Sequence, residues 1–592
     1  MSEERLNENG GISVDTGHIF PVIKRWLYSD KEIFLREIVS NASDAITKMK
    51  RLCSLGEAQT ECSGRIDIAV DKEEGTLTVS DDGIGMSADE VRRYICQIAL
   101  SGALEFIEKY EGEGQSDSGI IGHFGLGFYS AFMVAERVDV LTKSYTDAPA
   151  VLFSCDESGS YNLTDGERTE RGTDVIMHIS ADESEFLEKE RIKALLGKYC
   201  SFLPYPVFFD GEQINDTEPL WQKRAQDCTE EEYREFYTKV FGDCKQTLFH
   251  IHLNADYPLN FKGILYFPKI NPALEGVEGQ VKLYYNQMFV ADNVKEIIPD
   301  YLLMLKGVLD CPELPLNVSR SYLQTNTYVT KLSAHIVKKV ADKISSMFGN
   351  DREYFGKIWD DLKLFFEFAC LRDKKFFDKV SACTLYKCTD GGYLTLDEYL
   401  EKTGGKCVRY TTDPTVQSKY VSMYTSQGMP VAVLDHPLDA QFISLIEEEK
   451  KVEFLRVDAD MSSLSDGDRE DAPEELAELF RKASGKENLS VEMRALKDEK
   501  TPALIASAEQ TRRMQDMMKA YGMEGLSEGG EDILVLNSRS PLIEKLRNCA
   551  EPLPAARQIW ALCLLSVRPL TADELAEFIS QSYDGIERGL SQ

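Results

Sequence analysis

The chain has 592 residues, 43% hydrophobic and 28% charged, a composition of ordinary globular domains, and its length corresponds to about four domains of roughly 150 residues. Its 67 Lys and Arg against 100 Asp and Glu leave a net charge of −33, which repels phosphate backbones and disfavours a large duplex-binding surface, though not a small basic pocket. The opening MSEERLNENG lacks an apolar signal core, no run approaches the ~18 apolar residues of a membrane span, and the 14 cysteines contain no C-x-x-C pair. A cytoplasmic protein with reduced thiols, no membrane and no nucleic-acid partner is expected.

Residues 31–52 place Ile33, Phe34, Ile38, Ala45, Ile46 and Met49 at helical spacing. Glu37, Asn41 and Asp44, four and three apart, project from one polar face of that helix, and a plain solvated face is the competing reading. Residues 65–80 alternate as Ile66, Ile68, Val70, then a Glu-Glu-Gly turn, then Leu77 and Val79, which predicts a β-hairpin. Asp81 continues the core-facing side of the second strand, where a carboxylate is costly unless hydrogen-bonded. Gly83 and Gly85 follow it without side-chain bulk, so Asp81 is placed to accept from an exocyclic amine such as that of adenine; read alone, DDGIGM fits a tight turn equally well.

Glycines 119, 122, 125 and 127 lead into a helix-like run, FYSAFMVAERV, whose N-terminal amides suit phosphates, but no P-loop motif is present. Helices with antiparallel strands predict an α+β, two-layer sandwich for this part. Residues 204–219 read as its exit, and 458–475, acidic and Ser-rich, as a second linker. The expected division is 1–215, a middle part 216–460 with two subdomains, and a mostly helical 472–592, with a Gly-rich loop at 524–532. His250 and His252 share one strand face and read as structural. Met514, Met517, Met518 and Tyr521 form a stripe that is either core or an adaptable exposed surface. Leu575, Phe578, Ile579, Ser582 and Ile586 form another, entered through the capping box Thr571-x-x-Glu574.

Taken together and in order, YSDKEIFLREIVSNASDA, SDDGIGM and GHFGLGFYSAFMVAERV resemble the ATP-binding fold of DNA gyrase, histidine kinases, mismatch-repair MutL proteins and the ninety-kilodalton heat-shock chaperones. Their wording is closest to the bacterial chaperone branch, and PLWQKR, FKGILYFPK and KLYYNQMFVADNVKEIIPDYLLMLKGVLDCPELPLNVSRSYLQ extend the likeness through the middle, so that it covers nearly the whole chain. The resemblance implies an ATP hydrolase that drives a dimeric clamp on unfolded or partly folded client proteins, with other chaperones as further partners.

By motif position it implies that Glu37 polarises the attacking water, while Asn41 holds Mg²⁺ through the nucleotide phosphates. Asp81, supported by Thr173, would hold adenine beside Gly85 and Met86, and Asp44 and Lys48 would line the pocket. Gly122, Phe124, Gly125, Gly127 and Phe128 would cradle the phosphates, and Arg320, assisted by Gln324, would reach in from a loop at 313–324. A lid at 96–127 departs from the family pattern at Leu100, Ala103 and His123. The ending GIERGLSQ lacks the acidic tail of eukaryotic cytosolic members, and the helices around 553–567 and 571–589 are expected to pair two copies. A DNA-processing relative is opposed by the charge and the middle segments, and a scaffold that binds ATP without turnover is opposed by Glu37 and Arg320.

Overall fold

The computed structural model describes residues 30–59, 63–98, 100–110, 119–122, 125–242, 246–256, 258–269, 280–293, 296–302, 304–314, 327–405, 407–459, 462–466, 469–510, 513–514 and 532–590. The chain divides into two compact units, Met1–Lys339 and Val340–Gln592.

In the first unit, helix α1 (Ile33–Ser54) forms because Phe34, Ile38, Ala42, Ile46, Met49 and Leu52 recur every three or four residues, and all are buried. Strands β1 (Ile66–Asp71) and β2 (Thr76–Asp81) make the expected hairpin, with Ile66 opposite Asp81. Asp71 shapes its turn by accepting from the Glu73 and Glu74 amides at 2.9 and 3.1 Å, and Gly75 (φ 66°) completes it. Helix α2 (Ala88–Tyr94) begins at a capping box of Ser87 and Glu90, and α3 (Gly102–Tyr110) follows.

The helix expected after Phe128 is cut short. Gly127–Met133 is a 3₁₀ segment, and AERVDVLTK is strand β3 (Ala135–Lys143), because Val138 and Val140 alternate into the core with a period of two. Strands β4 (Val151–Asp156), β5 (Tyr161–Asp165) and β6 (Gly172–Ile179), helix α4 (Lys189–Tyr199), and short strands β7 (Val207–Phe209) and β8 (Glu212–Gln213) complete an eight-stranded sheet in the order β5-β4-β3-β6-β2-β1-β7-β8. Only the β1–β7 pairing in it is parallel. α1 packs on β2, the 3₁₀ segment and α4, which gives two layers, helices over sheet.

After helix α5 (Glu230–Phe241), capped by a Thr229–Glu232 box and ended by left-handed Gly242, comes a five-stranded sheet. Its strands are β9 (Thr247–Ala255), β10 (Phe261–Pro268), β11 (Gln280–Tyr285), β12 (Met288–Asp292) and β13 (Lys306–Asp310), ordered β12-β11-β13-β10-β9. His250 stacks on Tyr233 at 3.7 Å, and the Tyr233 hydroxyl lies 2.7 Å from Nδ1 of His252, so both histidines are engaged by α5.

The second unit contains a three-stranded parallel sheet (Cys407–Thr411, Ala432–Val433, Glu453–Arg456) and a four-stranded sheet built around Ile533–Asn537. Along Ile533–Asn537, Leu534 and Leu536 face a core with Phe480, Ile559 and Trp560, while Val535 faces one with Tyr420, Val457 and Leu464. This second core corrects the linker expected at 458–475. Asp458 is fully buried against Arg456 (2.6 Å), Leu464 is fully buried, and Glu470–Asp471 is an edge strand. One apolar anchor and one neutralised carboxylate are enough to fold a segment whose average composition is that of a solvated linker. The Thr571–Glu574 capping box is present, with Thr571 N–H donating to Glu574 at 2.8 Å and Glu574 N–H to Thr571 at 3.3 Å. Met514 is exposed; Met517, Met518, Tyr521 and the loop up to Glu531 lie outside the described residues.

Candidate active site

A cavity of about 410 Å³ lies between α1, the 3₁₀ segment, the end of β2 and helices α2 and α3, within the size range of small-molecule sites. Glu37, Asn41, Asp44 and Lys48 come to it along one side of α1, one helical turn apart. That side is largely covered rather than solvated: Glu37 and Asp44 are 3% and 4% exposed and Lys48 is half-buried, while Asn41 is exposed. Gly127 closes on them: a Cβ there would stand 3.1 Å from Glu37 Oε2 and 3.4 Å from Asn41 Oδ1, so glycine is what lets the loop approach. Arg36, itself 2% exposed, donates through Nε and Nη2 to Glu37 Oε1 at 3.1 and 3.0 Å. This pairing was not read from the sequence, because neighbours on a helix ordinarily diverge.

The floor comes from three neighbouring strands. Asp81 is paired in register with Thr173 of β6, and Thr173 with Thr142 of β3, which sets the three polar side chains in a row. Asp81 Oδ1 accepts from the Gly83 amide at 2.8 Å. Burial raises its pKa to about 7, against the opposing pull of that hydrogen bond and of Arg168, with Asp82 and Asp174 pushing the same way as burial. Thr142 Oγ1 accepts from the Met86 amide at 3.0 Å and lies 2.9 Å from the Thr173 hydroxyl. Thr142 was missed; its signal is only its register opposite Thr173, which sequence alone does not reveal.

The DDGIGM turn is wedged between elements, which is why its glycines are required. Gly85 sits at φ 62°, and a Cβ would meet the Lys143 carbonyl oxygen at 1.8 Å; a Cβ on Gly83 would meet Ala45 at 2.6 Å. Ile84 N–H donates to Ala45 O and Tyr145 N–H to Ile84 O, at 3.0 and 2.9 Å, pinning the turn to α1 and the end of β3. Gly85 and Met86 therefore line the cavity, as do Gly122, Gly125, Phe128 and Thr173.

The glycine loop is held rather than open. Asp44 accepts from the Ile121 amide at 2.6 Å and from the Gly122 amide at 2.7 Å. Lys48 is pushed down from its ordinary pKa by desolvation, against the pull of Asp44 and Glu90. The lid side is more aromatic than the sequence reading anticipated, with Tyr94, Phe106, Tyr110 and Tyr145 at the wall beside Leu100 and Ala103. His123, Phe124, Arg320 and Gln324 lie outside the described residues.

The family model described as "Histidine kinase-, DNA gyrase B-, and HSP90-like ATPase" matches residues 28–177, the stretch that carries the cavity and the sheet apart from β7 and β8. Fold and site thus define a nucleotide-binding ATPase of that class. The model described as "Hsp90 protein" matches residues 207–564. Chaperone protein HtpG of Porphyromonas gingivalis is 44% identical over 584 residues, covering 91% of this chain and 84% of that protein. HtpG of Bacteroides thetaiotaomicron is 41% identical over 579 residues with the same coverage, and that of Desulfitobacterium hafniense 30% over 573, covering 92% and 93%. The chain belongs to the Hsp90 family, the ATP-hydrolysing chaperones. No described helix is long and apolar enough to cross a membrane.

Proposed function

We propose that ATP occupies the α1 cavity with its adenine on Asp81 and its phosphates under the glycine loop, and that its hydrolysis there drives a clamp of two copies acting on unfolded client proteins. The observation that carries this reading is the meeting of Glu37, Asn41 and Gly127 at one end of a cavity whose floor is Asp81. An ionised Asp81 accepts from the adenine amine, whereas the carbonyl of guanine would face it oxygen to oxygen. Thr173 and Thr142 extend the polar floor, and Gly85 and Met86 border the base.

Glu37 orients the water for attack on the γ-phosphate, a role worth roughly 10²–10⁴ in rate. Its tie to Arg36 fixes the carboxylate before substrate arrives. For phosphates to use the Ile121 and Gly122 amides, those amides must leave Asp44, so lid movement and substrate binding are one event. Magnesium fits the site only as an ion carried in with the nucleotide: the described residues hold no cluster of three or more His, Cys, Asp or Glu suited to a metal, while Asn41 offers one amide oxygen in the cavity. Bound there, it would offset phosphate charge. Arg320 and Gln324 are proposed to supply the remaining positive charge and polar support at the transferring phosphate.

The division into parts 1–215, 216–460 and 472–592 is the proposed domain plan, with the stretch between the last two a folded junction rather than a solvated linker. Two-fold pairing is proposed through helices Leu553–Leu565 and Ala572–Leu590, where Leu562, Leu575, Ile579, Tyr583, Ile586 and Leu590 are exposed as an apolar face. None of the twelve described cysteines is in a disulfide, and a cytoplasmic location is proposed on the resemblance to the chaperone relatives. The test is steady-state ATPase of the wild type beside Glu37→Ala and Arg320→Ala, with ATP binding followed by calorimetry. The expected result is intact binding with rates lowered by ~10² or more for Glu37→Ala; equal rates for all three proteins would remove the catalytic assignments.

A further inference from the structure

The glycine loop has a second attachment besides Asp44. At the tip of the β11–β12 hairpin, Asn286 (φ 48°) and Gln287 (φ 65°) make a tight turn in left-handed backbone conformation. Asn286 Nδ2 donates to the Ile120 carbonyl at 3.0 Å, immediately before the two amides that Asp44 holds. Gln287 N–H lies 3.2 Å from both carboxylate oxygens of Asp310, the last residue of β13, to which Trp221 Nε1 also donates at 3.2 Å. A cleft of about 390 Å³ runs beside the contact, lined by Thr47, Gly119, Gln222, Lys262, Asn286 and Asp310. The Asn286 bond therefore joins the β11–β12 turn to the glycine loop at the side of a cleft, half-buried rather than inside a packed core.

We propose that Asn286 is a positioning residue for ATP hydrolysis. It sets the register between the loop that cradles the phosphates and the strand end, Asp310, from which the chain continues toward Arg320. The inference rests on the reading of the α1 cavity given above. Left-handed backbone at this turn favours Asn, Asp or Gly, so the donor can be removed without changing the turn. Asp removes the donor and turns a carboxylate toward the Ile120 carbonyl; Gly removes the side chain altogether. Adenine contacts lie at the other end of the cavity and Asp44 still holds the loop when the Asn286 bond is lost, so nucleotide affinity is expected to be spared, while misalignment of the reacting groups lowers turnover.

The test uses the full chain with Asn286→Asp and Asn286→Gly, measuring ATP dissociation constant by calorimetry and kcat by steady-state hydrolysis. Both variants are expected to bind ATP within twofold of wild type, with kcat reduced ~5–10-fold, a fraction of the ~10²-fold that a 1 Å misplacement of reacting groups can cost. Unchanged kcat in both variants overturns the proposal, as does a loss of affinity that matches the loss of kcat, which would place Asn286 in general pocket structure. A wild type that takes up no ATP would instead overturn the reading of the cavity itself, a separate failure.

Discussion

Asp81 and Asp310 occupy equivalent local positions, each the last residue of a strand with its side chain turned to the interior, and each is buried. Burial raises both pKa values, Asp81 to about 7 and Asp310 to about 6. They differ in what faces them. Asp310 is surrounded by donors, the Trp221 indole, the Gln222 amide and the Gln287 backbone N–H, with Lys262 nearby. Asp81 has the Gly83 amide on one oxygen and a cavity beside it. A buried carboxylate wrapped in donors is a structural post, and one left facing a cavity is a receptor for a donor that arrives from outside.

Exchange of Asp81 for Asn tests the receptor half most severely. Loss of a charge-assisted hydrogen bond to the base is expected to weaken ATP binding ~10²-fold by calorimetry. The nucleotide-free protein should be no less stable, because the exchange removes a buried charge that little compensates. Binding within twofold of wild type would break the contrast. Asp310→Ala should do the reverse. It strands the indole, the amide and the backbone N–H together, and the first unit is expected to lose about 2 kcal/mol in denaturant unfolding while ATP affinity stays within twofold.

A pH series separates the two functions of one residue. Because its folded pKa is raised to about 7, Asp81 is protonated in the folded state over a range where the unfolded chain has it ionised. Its contribution to stability is full below the unfolded pKa and is lost as pH rises through about 7. Adenine binding needs the ionised form and moves oppositely: affinity is expected to fall ~tenfold from pH 8 to pH 6, as follows from a group titrating midway. Asp81→Asn should flatten that profile. A profile that persists in the variant would assign the titration to another group.

How far these features can be read from the chain depends on whether they are local. The spacing of Glu37, Asn41 and Asp44 on α1, and the alternation Leu77, Val79, Asp81, are visible because helix and strand periodicities are short. The glycines of DDGIGM were visible as residues, but the Lys143 and Ala45 backbones that require them lie elsewhere in sequence. The 3₁₀ segment reads as a longer helix in the sequence because FYSAFM is apolar except for Ser130 and fits either period until the valines of β3 settle it. Asp310 escaped notice altogether: its donors come from Trp221, Gln222 and Gln287, and no local pattern announces a post whose partners are remote. The anchoring of 458–475 was not legible for the same reason, its buried Leu464 packing on Tyr420 and Val535.

The smallest effect refines the receptor side. If the cavity floor is one cooperative row, Thr142 acts on the base through Met86 and Thr173 without touching the carboxylate. Thr142→Val keeps the volume but leaves the Met86 amide without its acceptor, so ATP affinity is expected to fall about fivefold, in line with one neutral hydrogen bond. Thr142→Ser, which retains the hydroxyl, should stay within twofold. The double variant Asp81→Asn, Thr142→Val should then lose less than the sum of the two, because Met86 and Thr173 are shared neighbours whose placement matters only while a base is held on Asp81. Strict additivity would mean that Thr142 merely braces β3, and the receptor would shrink to Asp81 and Thr173.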